Sequence, residues 1–236
     1  MRRAARLLGT VLVVAGVLTL AWTVTVWRWQ DPLTTVYTHY QQHRLAVTLD
    51  REFATFRAAR TRAHEAVAVE RRRLASDAAR FRRTATIGQP IGRILIPRIG
   101  LKMVLVNGTD HDTLKKGPGR DLRTFMPGQG KLVYIAGHRT TYLAPFSHID
   151  RLRRGDRVTI EMPYATFVYR ITGHRIVPGD DLTVLDSHGR EALELQACHP
   201  RFFATHRYIA YALPVEVIPR GGKALTVGAA NVKPPA

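Results

Sequence analysis

The only cysteine of this 236-residue chain, Cys198, ends the run ALELQAC, and Arg207 opens the run RYIAYALP nine residues later. His138 directly follows a third such run, KLVYIAG. A thiol is a nucleophile, an imidazole moves protons in either direction near neutral pH, and a guanidinium is a permanent cation for a developing oxyanion. Brought together, the three side chains supply a complete acyl-transfer set. A lone cysteine has no intramolecular disulfide partner, so Cys198 is either a small buried apolar residue or a reactive thiol. His199 and His206 flank the key positions, but adjacent residues of an extended strand point to opposite faces, so neither is expected to be the base. Ten histidines beside one cysteine, with no H-E-x-x-H or C-x-x-C spacing, lead us to expect no metal site.

Strand ends must position these groups. From residue 91 the pattern is short β-type runs broken by Gly, Pro and Asp: GRILIP (92–97), LKMVLVN (101–107), KLVYIAG (131–137), RVTIEMP (157–163), TFVYRITGHRIV (166–177), ALELQAC (192–198) and RYIAYALPVEV (207–217). Short helices fit near 109–115 and 144–152. Many short strands with few helices predict a mainly β domain, a barrel or sandwich on the order of 130 residues. A barrel can bring its strand ends together at one rim.

Upstream, residues 7–27, LLGTVLVVAGVLTLAWTVTVW, form 21 residues without a charge. As a helix that is about 31 Å, enough for a hydrocarbon core of roughly 30 Å. Arg2, Arg3 and Arg6 precede it and Trp22, Trp27 and Trp29 cluster near its far end, so a single-pass span with a cytoplasmic N-terminus and an extracellular remainder is expected. A cleaved signal peptide fits worse, because the apolar run is too long and no A-x-A site follows. Residues 1–29 are therefore read as basic tip and transmembrane helix. Residues 30–86, rich in Arg and Ala, carry apolar residues at spacings of mostly three, four or seven and are read as a solvated helical stalk rather than a coiled-coil dimer. Residues 87–220 are the β domain, expected to be a monomer, and 221–236 a flexible tail.

The chain carries 36 Lys and Arg against 18 Asp and Glu, a formal charge of +18. Such a balance attracts anionic surfaces and polymers. The charge divides as +4, +5 and +9 over residues 1–29, 30–86 and 87–236, with no dense basic arm, zinc-finger spacing, RNP signature or basic zipper, so no nucleic-acid partner is expected.

Four segments resemble the sortases, the cysteine transpeptidases of bacterial cell surfaces. GRILIPRIGL (92–101) looks like the family's opening strand pair, and KKGPGRDLRTFMPGQGKLVYIAGHRTTYLAPFSHIDRLRRGD (115–156) its His segment; LELQACHP (193–200) and RYIAYA (207–212) stand for its Cys and Arg strands. GHRTTYLAPF is similar to the class E sortases of high-GC Gram-positive bacteria. The resemblance implies a sortase-type closed β-barrel that needs no cofactor, with His138, Cys198 and Arg207 catalytic and Tyr142 beside the substrate groove. Gln196 and Ala197 stand two residues before and immediately before the cysteine, where the family usually has Thr, and Ala197 is expected at a substrate contact. The implied reaction cleaves a Leu-Pro-x-Thr-Gly or Leu-Ala-x-Thr-Gly sorting signal of a surface protein between Thr and Gly, through a thioester, and passes the protein to a peptidoglycan precursor amine. Two alternatives stand beside it. One is a pilus-polymerising sortase, whose Asp-Pro-aromatic lid Asp31-Pro32-Leu33 imitates without the aromatic; the other is a non-catalytic module binding anionic wall polymers.

Overall fold

A computed structural model of the chain describes residues 2–28, 32–56 and 67–227. Trp29, the middle of the expected stalk and most of the expected tail lie outside these residues. The uncharged N-terminal run forms helix α1 (Arg2–Arg28). Within its stretch Arg2–Thr25, 18 consecutive residues have mean hydropathy 2.2 and none of those is buried, which makes the helix long and apolar enough to cross a membrane.

Two further helices follow, α2 (Pro32–Thr55) and α3 (Val67–Thr84). The structure departs here from a solvated stalk, because both helices lie against the β domain. On α2, Thr38, Leu45 and Leu49 are buried, with Gln42 on the same face one turn after Thr38. Leu45 and Leu49 pack on Val104 and Val106. The Gln42 side chain accepts from Val104 N at 2.7 Å and donates to Lys116 O at 2.7 Å, and the Thr38 hydroxyl donates to Lys115 O at 2.8 Å. On α3, Leu74, Ala78 and Phe81 recur at helical spacing and join the main core. A narrow apolar stripe is enough to dock a helix when a barrel wall offers a complementary one.

The barrel is built from β1 (Pro90–Ile96), β2 (Leu101–Asn107), the short α4 (His111–Leu114), β3 (Gly119–Arg120), β4 (Leu132–Ala136), β5 (Arg157–Glu161), β6 (Ala165–Pro178), β7 (Ala192–His199), β8 (His206–Pro219) and β9 (Leu225–Thr226). Strand order is β6-β5-β1-β2-β3-β4-β7-β8-β9, and β6 also pairs with β8, which closes an eight-stranded barrel with β9 added outside the ring. Period-two alternation dictates what faces inward. Leu193, Leu195 and Ala197 of β7 and Tyr208, Ala210 and Ala212 of β8 enter the core, leaving Glu194, Gln196 and Cys198 on the outer face. At the rim where β6 begins, Phe81 of α3 meets Tyr164 (ring centroids 5.8 Å apart). Leu225 and Thr226, which fall in the expected tail, pair with Val217 and Glu216.

Candidate active site

Two ladders place the three chemical groups at the opposite rim. In the antiparallel β7–β8 pair, Cys198 faces Arg207 directly, so both side chains leave the sheet on one side. In the parallel β4–β7 pair, Ala136 lies beside Gln196 and Gly137 N donates to Gln196 O at 3.0 Å. Two residues on, just past the end of β4 and within β7, stand His138 and Cys198. His138, Cys198 and Arg207 line one cavity of about 310 Å³, with Gln196, Asp121 and Asp181 among its other walls. Every segment expected to deliver them is a strand end in the structure.

Gly137 is required at its position. A Cβ there would stand 2.7 Å from the Phe146 ring and 3.0 Å from Pro145, so only glycine lets the chain pass. Beyond it the loop turns back on itself. Phe146 N donates to His138 O at 3.1 Å and the Phe146 ring is fully buried. Tyr142, Leu143 and Ala144 all have positive φ, at 53°, 60° and 37°. Each such residue costs on the order of 1 kcal/mol, so burial and outside contacts must hold the turn. One contact comes from α2, where the Thr34 hydroxyl accepts from Tyr142 N at 3.2 Å.

His138 is half-buried, its ring 5.1 Å from that of Tyr142. Among the described residues its Nε2 has no hydrogen-bond partner. Burial, reinforced by the charge of His111, holds its imidazole below the usual value, so the neutral ring dominates at neutral pH. Arg207 is fixed through one nitrogen, Nη1, which donates to Ala204 O at 2.7 Å and His206 O at 3.0 Å. Facing these groups, burial pushes the Asp121 carboxyl up, but the hydrogen bonds and charge of Arg123 outweigh it, so Asp121 ends below its usual value. The Arg123–Asp121 ion pair is 2.7 Å long.

Tyr142, read from the sequence as a groove residue, stands against the His138 ring. Ala197 does not reach the cavity. Its side chain is fully buried in the barrel core because it alternates with Cys198, and the neighbour that lines the cavity is Gln196. The same alternation, applied to Cys198 minus two, is the signal that identifies Gln196.

Sequence reasoning also passed over Arg139 and Glu194. Arg139, 6% exposed, donates from Nη1 to Cys198 O at 3.2 Å and lies 3.0 Å from His199 Nδ1, and its Nη2 pairs with Asp150 at 3.2 Å. It thus ties the histidine segment to the backbone of the cysteine. Glu194, 5% exposed and on the same outer face as Cys198, has a buried Oε2 with no partner among the described residues. Burial, partly offset by Arg175, pushes its carboxyl up to about 8.

This geometry has relatives. The sortase domain profile matches residues 94–215. Sortase D of Bacillus subtilis (strain 168) is 34% identical over 128 residues, covering 52% of this chain and 63% of that protein. Sortase E1 of Streptomyces coelicolor (strain ATCC BAA-471 / A3(2) / M145) is 27% identical over 149 residues, covering 56% of this chain and 42% of the relative. The chain therefore spans less than two thirds of the length of these relatives. Among solved structures, sortase E from Streptomyces avermitilis superposes with a TM-score of 0.53 at 33% identity, covering 58% of this chain and 96% of that one. Sortase E1 from Streptomyces coelicolor with a tripeptide in its active site superposes at 0.53 and 27% identity, covering 56% and 92%. With a matching domain over more than half its length and an outer-rim Cys, His and Arg set on a closed barrel, the chain belongs to the sortase family of cysteine transpeptidases and is like its class E members.

Proposed function

We infer that the protein is a membrane-anchored sortase that cleaves a Leu-Pro-x-Thr-Gly or Leu-Ala-x-Thr-Gly sorting signal between Thr and Gly and transfers the protein to a cell-wall amine. The observation that carries this reading is the direct pairing of Cys198 with Arg207 across β7 and β8, with His138 on the same cavity. The thiol proton of Cys198 passes to neutral His138, and the thiolate attacks the Thr carbonyl. The oxyanion that forms lies against the Arg207 guanidinium, whose hydrogen bonds among the described residues are all made by Nη1. Collapse breaks the Thr–Gly bond, the leaving amine takes the proton from His138, and a thioester on Cys198 remains. An incoming amine, giving up its proton to His138, attacks that thioester and returns the thiol.

The low proton affinity of buried His138 supports slow turnover, because the imidazolium paired with thiolate is then a minor population. The apolar α1 and the arginines in its first turns support anchoring with the N-terminus inside and the barrel outside. Residues 1–29, 30–86, 87–220 and 221–236 remain our working division into span, helical segment, catalytic barrel and tail, with the helical segment docked on the barrel.

The test is acyl-enzyme formation. Incubation with a Leu-Ala-x-Thr-Gly peptide should add the mass of the acyl fragment to Cys198 and give amine-dependent product. Cys198→Ala should abolish both, His138→Ala should lower the rate by about a thousandfold, and Arg207→Lys should fall between wild type and Arg207→Ala. Continued peptide cleavage by Cys198→Ala, or an unchanged rate for Arg207→Ala, overturns the assigned roles.

A further inference from the structure

The loop between β7 and β8 exposes two adjacent aromatic side chains beside the active-site rim, Phe202 at 56% and Phe203 at 78% exposure. Phe202 sits at φ 71° and Ala204 at φ 55°, conformations that residues other than glycine rarely adopt, and this tightly turned loop leaves both rings facing outward. Burying each ring would be worth about 2 kcal/mol, which the isolated protein leaves unrealised.

A chain of contacts connects this loop to the end of the apolar helix. Thr34, whose hydroxyl holds Tyr142 N, lies six residues beyond the end of α1 at Arg28. Six residues reach at most about 22 Å even when fully extended. The loop containing Tyr142 is held in turn to the β7–β8 loop, because Arg201 Nη2 donates to Ser147 O. The first turns of α2 expose Val36 and Tyr40 on the way. Phe202 and Phe203 therefore occupy a rim tethered through the Tyr142 loop to the helix end, next to Arg201. Apolar rings beside a basic side chain form the combination that inserts shallowly at a lipid headgroup boundary.

We propose that Phe202 and Phe203 insert into the outer surface of the membrane that holds α1, and seat the mouth of the active site on the lipid. The occupant is a lipid surface, because the chain itself delivers that rim to it; the proposal rests on the reading of α1 as a membrane span. Seating would place Cys198 at the depth from which a membrane-held sorting signal emerges. It would also raise the effective concentration of the site toward embedded substrates over free peptides.

The experiment uses the full chain in phosphatidylglycerol-containing vesicles. In a Cys198→Ala background, single cysteines are introduced by Phe203→Cys, Lys223→Cys and Val17→Cys, and labelled with bimane. Lys223 is the exposed control, beyond the far end of β8, whose fourteen residues at about 3.3 Å each span roughly 45 Å. Lipids with a headgroup nitroxide should quench the label at 203 at least about threefold more than the label at 223, and lipids with a mid-chain nitroxide should quench the label at 17. Equal quenching at 203 and 223, with 17 quenched, overturns the proposal and leaves the anchor standing; an unquenched 17 removes the anchor and the proposal with it. With Cys198 intact, the double change Phe202→Ser and Phe203→Ser should slow cleavage of a vesicle-embedded substrate about tenfold and that of a soluble peptide by less than about twofold. Equal slowing of both would assign the rings to peptide binding instead and overturn the lipid contact.

Discussion

Arg120 and Arg139 are both buried, at 2% and 6% exposure, yet their donors end differently. Arg120 donates from Nε and Nη2 to Asn107 Oδ1 at 3.1 and 2.7 Å, and from Nη1 to Asp121 O at 3.1 Å and Thr124 O at 2.6 Å. Asn107 in turn donates to Ala85 O at 3.0 Å, so the residue that ends β2 is tied to the segment after α3. Arg139 bonds the Cys198 carbonyl and Asp150, but its Nε has no partner among the described residues. The buried His138 Nε2 and Glu194 Oε2 share that condition. A saturated polar network rigidifies a scaffold, whereas unsatisfied buried groups are costly and persist where they face a task. The contrast separates the part of this barrel that holds shape from the part that holds chemistry.

The largest effect should come from breaking the saturated cluster. Arg120→Met leaves Asn107 Oδ1 and two carbonyls without their donor, and should lower unfolding free energy by about 3 kcal/mol while the folded fraction keeps its activity. Urea denaturation of the membrane-free barrel, if it folds, or thermal unfolding of the full chain in detergent measures this. A loss under about 1 kcal/mol would show that the cluster is not the scaffold described.

Next comes Glu194. Its folded value of about 8 lies above the ordinary 4.5, so the folded state holds this proton more tightly than the unfolded chain does. The stability that this gives is complete below about pH 4.5 and is lost as the pH rises through about 8. Glu194→Gln, which cannot ionise, should match wild type near pH 4 and exceed it by about 2 kcal/mol at pH 8 to 9. Parallel stability curves for the two proteins would show that the carboxylate finds a partner in solution.

Smaller still, and on rate rather than folding, Arg139→Lys should lower kcat about tenfold with KM held, because a point charge cannot replace the fork that reaches Cys198 O and Asp150 together. Steady-state kinetics on a soluble sorting peptide separate the two constants. The slightest change is expected from Thr34→Val, which removes the acceptor for Tyr142 N and should cost about threefold in kcat/KM, with Thr34→Ser restoring it. No change in either would mean that the strained turn holds itself.

Much of this was legible because β structure advertises itself in period two. The run ALELQAC gives β7 nearly to the residue, and the same alternation that puts Cys198 outside puts Ala197 inside. That is why Ala197, named for its place in a motif, belongs to the core while Gln196 faces the cavity. The helices were harder to read. The stripe at Thr38, Gln42, Leu45 and Leu49 is narrow and half polar, and its partner surface, Val104 and Val106, lies more than fifty residues away on a strand whose outer face could equally have met water. Arg139 was hidden for a related reason. Its partners, Cys198 O and Asp150, are brought to it only when β4 and β7 pair, and no local pattern distinguishes a buried arginine from the exposed ones that make this chain so basic.

The register that sets Cys198 across from Arg207 has a consequence for how such a protein can change. Neighbouring ladder rungs hold the two backbones in register, and of the six residues between His199 and His206 it is Ala204 whose carbonyl also holds the Arg207 guanidinium. That connection can be exchanged for another without shifting the two backbones relative to each other, provided that it returns a carbonyl to Arg207 Nη1. Diversification of what the protein recognises is thereby uncoupled from the reaction it performs. An engineer wishing to retarget it could transplant sequence between those two rungs and leave the strands untouched.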